Sequence, residues 1–159
     1  MDKIIGYAPF GVPIYSNNIK SKAGKVEHTP YGIKYQCVEL VRRWYATVFG
    51  FVFEDIPNAV DIFNLRHATS MKTGMKCPFI RVFNRGFDLP KFGDILIWKD
   101  SGAYETTGHV AIVAHISQNG VKIAEQNGSE NGFRNLTIAQ NRVHDPDGTI
   151  LGWMRLDVV

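Results

Sequence analysis

Cysteine is scarce in this chain: Cys37 and Cys77 are the two among 159 residues, and no CxxC pair occurs. A disulfide framework and a thiolate zinc site are therefore excluded, and at most one disulfide could form. Long hydrophobic runs are missing too. Nowhere do about 18 apolar residues follow one another, and the opening "MDKIIGYAPFGVPIYS" breaks its apolar start at Gly6, unlike a membrane span or a secretory leader. A soluble, cytoplasmic protein is the expectation. One-sided charge is also absent: charged residues make up 21% and the net charge is +3, scattered rather than clustered. That balance argues against a nucleic-acid groove or a membrane-surface patch and leaves small polar molecules as partners. Neither a repeat, a low-complexity tract nor a linker divides the chain. With 45% hydrophobic residues it is long enough for one well-cored domain, 1–159, and short for two.

What is present changes character midway. Residues 1–30, rich in Gly, Pro, Asn and Lys, predict an irregular, strand-containing arm. In "YGIKYQCVELVRRWYATVFG", residues 31–50, Val38, Val41, Tyr45 and Val48 recur at helical spacing, which predicts a helix from about Cys37 to Phe49 stopped by Gly50. "IPNAVDIFNL" predicts a second, shorter helix with Asn58 as its cap. From Met71 to Pro90 the periodicity is poor, and only "FIRVF" suggests a strand. Then "DILIW", "HVAIVAHI", "VKIAEQ" and "ILGWMRL" are short, apolar and β-branched, and "SQNG" between the middle pair reads as a hairpin turn. Helices first and antiparallel strands after predict an α+β domain with helices packed on one face of a sheet.

The candidate chemistry starts from Cys37. A thiol at a helix start meets unpaired backbone N–H groups and the positive end of the helix dipole, which favour the nucleophilic thiolate. Such a nucleophile needs a base within reach and a third group to orient the base. Of the five histidines, His109 opens the strand "HVAIVAHI" after the loop "SGAYETTG", so its ring can project at the rim of a sheet. His115 shares that strand but lies about 20 Å further along it and reads as a surface residue. The strand after the hairpin returns toward His109 and ends in "AEQN", offering Glu125 and Asn127 as the orienting group. A flush hairpin would set Glu125 opposite residues 112–114, so a twist, a bulge or a longer turn must close the gap, and spacing does not choose between the two. Cys77, in "GMKCPFI" with no nearby base, reads as a structural thiol.

A cysteine opening a helix, a histidine opening a strand and a polar group on the next strand resemble the CHAP amidases of the papain-like cysteine hydrolases. The similarity is greater still to the amidase domains of bifunctional glutathionylspermidine synthetase/amidases and trypanothione synthetases. It is carried in order by "GYAPFGVPIYS", "YQCVELVRRW", "ILIWKD", "TGHVAIVAHI", "IAEQN" and "ILGWM". The resemblance implies a papain-like CHAP fold of the α+β class, with N-terminal helices on an antiparallel sheet. It implies Cys37 as nucleophile, His109 as general base and acid, Glu125 as the group orienting His109, and Gln36 with the Cys37 N–H as oxyanion hole. Arg42 and Asn127 match positions that hold the glutathionyl part of the substrate, and Arg42 or Arg43 is placed to pair with a substrate carboxylate. The implied reaction is hydrolysis of a glutathione–polyamine conjugate, without metal or organic cofactor, with a separate synthetase as a possible source of the conjugate. An ATP-grasp ligase could not fit beside these segments, so ATP-dependent ligation is not expected. Residues 71–90 and "GSENGFRNLTIAQNRVHDPDGT" match poorly. The alternative within the family is a peptidoglycan amidase or endopeptidase; outside enzymes, a binding module that has lost turnover.

Overall fold

The computed structural model describes residues 2–17 and 26–158; part of the predicted N-terminal arm, 18–25, lies outside them. In chain order the strands are β1 (Ile4–Ala8), β2 (Val12–Tyr15), β3 (His28–Thr29) and β4 (Gly32–Ile33). Helix α1 (Cys37–Trp44) follows, then β5 (Phe51–Val52), β6 (His67–Ser70), β7 (Lys76–Phe83), β8 (Ile95–Trp98) and β9 (His109–Ile116). The chain closes with β10 (Gly120–Ala124), β11 (Phe133–Ala139), β12 (Arg142–His144) and β13 (Ile150–Leu156). Nine of these form one antiparallel sheet in the order β12-β11-β10-β9-β8-β13-β7-β6-β5, while β1–β2 and β3–β4 are separate hairpins.

The predicted strands at 109–116 and 150–156 occur with those bounds, and the other apolar runs lie in β7, β8 and β10. Ser117 N–H donates to the Gly120 carbonyl at 2.9 Å, closing the predicted hairpin. Helix α1 continues through a wider turn, Tyr45–Phe49, and stops where expected: Gly50 takes φ 71°, and its N–H donates to the Tyr45 carbonyl. The prediction of several N-terminal helices is not met. "AVDIFN" forms a 3-10 stretch, Ala59–Asn64, and Asn58 precedes it without a side-chain cap. Six residues with β-branched Val60 and Ile62 gain too few α-helical bonds to offset nucleation, and three-residue spacing already buries Ala59 and Ile62. The domain is sheet-rich, with one α-helix among the described residues.

Alternation along the strands gives the sheet two buried faces. Ile95, Ile97, Val110 and Ile112 pack with Val38, Val41 and Trp44 of α1 and with Tyr45 just past its end. Leu96, Trp98, Ala111 and Val113 face the other way, onto Ile123, Leu136, Val143 and Trp153 of the same sheet. The sheet therefore curls over its own second face. Asn84, just past β7, closes the curl: its side chain donates to the Val143 carbonyl at 2.9 Å and accepts from the Val143 N–H at 3.0 Å, joining β7 to β12. No helix among the described residues is long and apolar enough to cross a membrane.

Candidate active site

The start of α1 meets the start of β9. Gln36, in extended conformation, caps the helix, and Cys37 is its first residue, half-buried. The Cys37 sulfur is hydrogen-bonded to His109 and to the backbone of Val110 and Val38. Burial pushes the thiol up, but those hydrogen bonds and the imidazolium charge outweigh it and hold Cys37 below the ordinary thiol value. His109 is buried, and its Nε2 lies 2.7 Å from Glu125 Oε1, which leaves Nδ1 for the sulfur. Burial alone would lower His109; its bonds to Cys37 and Glu125 prevail and raise it to about 9. Glu125 is fully buried. Burial would raise its carboxyl, yet the bonds to His109 and Arg134 bring it down to about 2. Each of the three groups thus favours the charged form of its neighbour.

The register of β9 with β10 explains why Glu125, rather than Asn127, reaches the imidazole. At the turn Val121 pairs with Ile116 and Lys122 with His115, a register that would set Glu125 opposite Ile112, on the face away from His109. A bulge follows, after which Ile123 pairs with Val113 and Ala124 with Ile112. Continued, that register brings Glu125 opposite Ala111, on the His109 face and two residues away. Asn127, at φ 59°, turns aside and donates from Nδ2 to Gln36 Oε1 at 3.0 Å. The Gln36 amide is oriented by that bond, and its NH2 has no partner among the described residues. Gly128 lets the chain pass close by: a Cβ there would lie 2.6 Å from Glu125 Oε1 and 3.0 Å from His109 Nε2.

Below the helix start, Gln126 and Glu39 are fully buried. Gln126 Nε2 donates to the Gln36 carbonyl and to Glu39 Oε1, both at 3.0 Å. Arg43 binds Glu39 through Nε at 2.9 Å and Nη2 at 3.1 Å and reaches the Pro13 carbonyl and Gln126 Oε1. Arg43 is therefore a half-buried tie between α1, β2 and the end of β10, not a free cation. Arg42, five residues past Cys37, lies about 140° round the helix from it. It donates to the Phe53 carbonyl and lines a cavity of 660 Å³ with Glu54, Arg66 and His67, away from the cavities that Cys37 lines. Of the six residues expected at the site, five come together and Arg42 does not.

Two cavities flank Cys37. One, of 450 Å³, is lined by His28, Ile33, Asp55, Ile56 and Pro57; the other, of 380 Å³, by Tyr104, Glu105, His109, Asn127, Gly128 and Asp147. Gln36, Cys37 and Thr107 border both. Sequence reasoning missed Tyr104 and Trp98, whose rings lie 4.7 Å and 4.9 Å from that of His109, and Arg134, which binds Glu125. The available signal was an arginine on the buried side of an alternating strand, with Leu136 and Ile138. His115 is exposed, and Cys77 is a buried free thiol whose sulfur contacts the Asp157 carbonyl at 3.4 Å.

Residues 27–127 match the family model for the CHAP domain. Among curated proteins, the chain is 33% identical to the bifunctional glutathionylspermidine synthetase/amidase of Escherichia coli K12, over 95% of this chain and 28% of that protein. It is 35% identical to the trypanothione synthetase of Crithidia fasciculata, over 79% of this chain and 20% of that one. The chain thus spans less than a third of the length of these relatives.

Proposed function

This chain belongs to the CHAP-domain family, and from that premise we propose that it is a cysteine amidase that hydrolyses the amide of a glutathione–polyamine conjugate such as glutathionylspermidine. The observation that carries the reading is the hydrogen-bonded series Cys37, His109, Glu125 at the junction of two cavities, where an amide with a group on each side can lie across the sulfur. The names of the relatives support the choice of conjugate. Both cysteines are free thiols, as in a reducing compartment, which fits a cytoplasmic enzyme. Residues 1–159 are read as one amidase domain.

In this mechanism the Cys37 thiolate attacks the carbonyl carbon, and the carbonyl π pair moves to oxygen. The Cys37 N–H and the Gln36 NH2 receive the oxyanion, a role worth roughly 100-fold or more per donor. His109 delivers its Nδ1 proton to the amine nitrogen as the C–N bond breaks, leaving a thioester on Cys37. Water, losing a proton to His109, then attacks the thioester; glutathione departs and the thiolate–imidazolium pair is restored. Glu125 holds the imidazole orientation throughout. Asn127 serves in this reading through Gln36, and Arg42 has no contact with the reacting atoms.

The test follows amine and glutathione release from glutathionylspermidine by wild type and Cys37→Ala, with purified peptidoglycan in parallel. Release by the wild type alone is expected. Cleavage of peptidoglycan without release from the conjugate would overturn the substrate reading and leave the nucleophile standing.

A further inference from the structure

Behind Glu125 stands a group from outside the matched family segment. Arg134, on β11, binds the carboxylate with two nitrogens: Nε to Oε2 at 2.6 Å and Nη2 to Oε1 at 3.1 Å. Its remaining donors are also committed. Nη2 reaches Tyr104 Oη at 2.8 Å, and Nη1 reaches Asp145 Oδ2 at 3.0 Å, with Asp147 Oδ2 at 3.6 Å. Asp145 is anchored in turn by Trp98 Nε1 at 2.8 Å. The loop closes on the base itself, since the Tyr104 ring stacks on the His109 ring at 4.7 Å with 7° between planes, and Trp98 packs against its tilted edge. Glu125 and Asp145 side chains are fully buried and Arg134 is 19% exposed, so these are desolvated pairs.

We propose that Arg134 is a positioning residue of the reaction: clamped by Tyr104 and Asp145, it fixes the Glu125 carboxylate so that Oε1 presents to His109 Nε2. A carboxylate on a short side chain, bonded to one imidazole alone, can rotate and is costly to bury as an anion. The guanidinium removes both freedoms, because its planar fork matches two carboxylate oxygens at once; a lysine ammonium supplies charge without the plane. The groups facing Glu125 are His109 on β9 and Arg134 on β11. Cys37 lies beyond His109, and Tyr104, Asp145 and Asp147 lie beyond Arg134. Removal of Arg134 leaves Glu125 and Asp145 as neighbouring buried anions, which favours protonation of Glu125 and loosens its hold on the imidazolium. Arg134 and Asp145 both fall in the 128–149 segment, past the last residue that the family model matches.

The proposal rests on the amidase reading only for its turnover measurement; a second measurement is independent of substrate. Wild type, Arg134→Met, Arg134→Lys and Tyr104→Phe are compared for the pH dependence of Cys37 alkylation by iodoacetamide, and for kcat and KM on glutathionylspermidine. In Arg134→Met the acid limb of alkylation is expected to rise by about one pH unit. Its kcat is expected to fall roughly 100-fold with little change in KM. Arg134→Lys recovers part of both, and Tyr104→Phe, which keeps the ring and deletes one acceptor, moves both a smaller way in the same direction. A folded Arg134→Met with the parental limb and kcat overturns the proposal. If Arg134→Met does not fold, an unchanged limb in Tyr104→Phe overturns it instead. Should the wild type release nothing from the conjugate, the substrate reading fails while the alkylation limb still decides the role of Arg134.

Discussion

At the scale of single residues, the site depends on polar groups that fix one another. Gln36 is held at both ends: its carbonyl accepts from Gln126 and its side-chain oxygen from Asn127, each at 3.0 Å. That arrangement leaves the NH2 as the free end, the donor an oxyanion requires. Gln36→Ala is therefore expected to lower kcat roughly 100-fold with KM little changed. Asn127→Ala is expected to lower it less, because the amide is still present but no longer oriented; steady-state kinetics on the conjugate separate the two. Glu39 illustrates the same point in stability. Its carboxylate accepts from Thr29, Arg43 and Gln126 in a fully buried position. Glu39→Ala would strand the half-buried Arg43 guanidinium and cost about 3–5 kcal/mol, read by denaturant unfolding.

At the scale of elements, strand register and close backbone approach place these groups. The bulge between β9 and β10 determines which face Glu125 occupies, and Gly128 gives the strand end room to pass the Glu125–His109 bond. Gly128→Ala puts a methyl into that bond and is expected to abolish turnover while the protein remains folded, as circular dichroism would report. Gly152 has a different role. A Cβ there would lie 1.9 Å from the Val82 carbonyl on the neighbouring strand β7. Because backbone cannot yield as a flexible side chain does, Gly152→Ala is expected to lower the melting temperature sharply, with activity lost only in proportion to unfolding. Much at this scale was legible in advance. The strands at 109–116 and 150–156 and the helix beginning at Cys37 follow from hydrophobic period alone. The 3-10 stretch at Ala59–Asn64 was not, because a six-residue apolar pattern suits either helix type and its tertiary packing chose the tighter one.

At the scale of the whole molecule, the charges of the site couple to stability through pH. Glu125, brought down from 4.5 to about 2, contributes stability that is whole above 4.5 and lost as pH falls through 2. His109, raised from 6.5 to about 9, contributes fully below 6.5 and loses its share as pH rises through 9. Cys37 runs the other way: held below its ordinary 9.0, its contribution is whole above 9.0 and lost as pH falls through the folded value. The two trends oppose one another, because folding takes a proton from Cys37 and gives one to His109. Denaturant unfolding of the wild type is expected to show the fall from His109 between about 6.5 and 9 blunted by the opposing rise from Cys37. Cys37→Ala removes the first support of the raised His109, so His109 is expected to titrate nearer 6.5 in that variant, and an unchanged titration followed by NMR would contradict the ion pair. The sequence by itself determined that a thiol begins a helix, that a histidine begins a strand, and that a hairpin returns two polar residues toward it. Each of these is a local pattern, set by residue spacing within one element. Only the tertiary structure decided that Glu125 rather than Asn127 meets His109, that Arg42 points away, that Arg43 is tied to Glu39, and that Arg134 and Asp145 stand behind the carboxylate. Those outcomes depend on a bulge, on helix rotation and on the curl of the sheet, which bring together residues whose partners lie far along the chain.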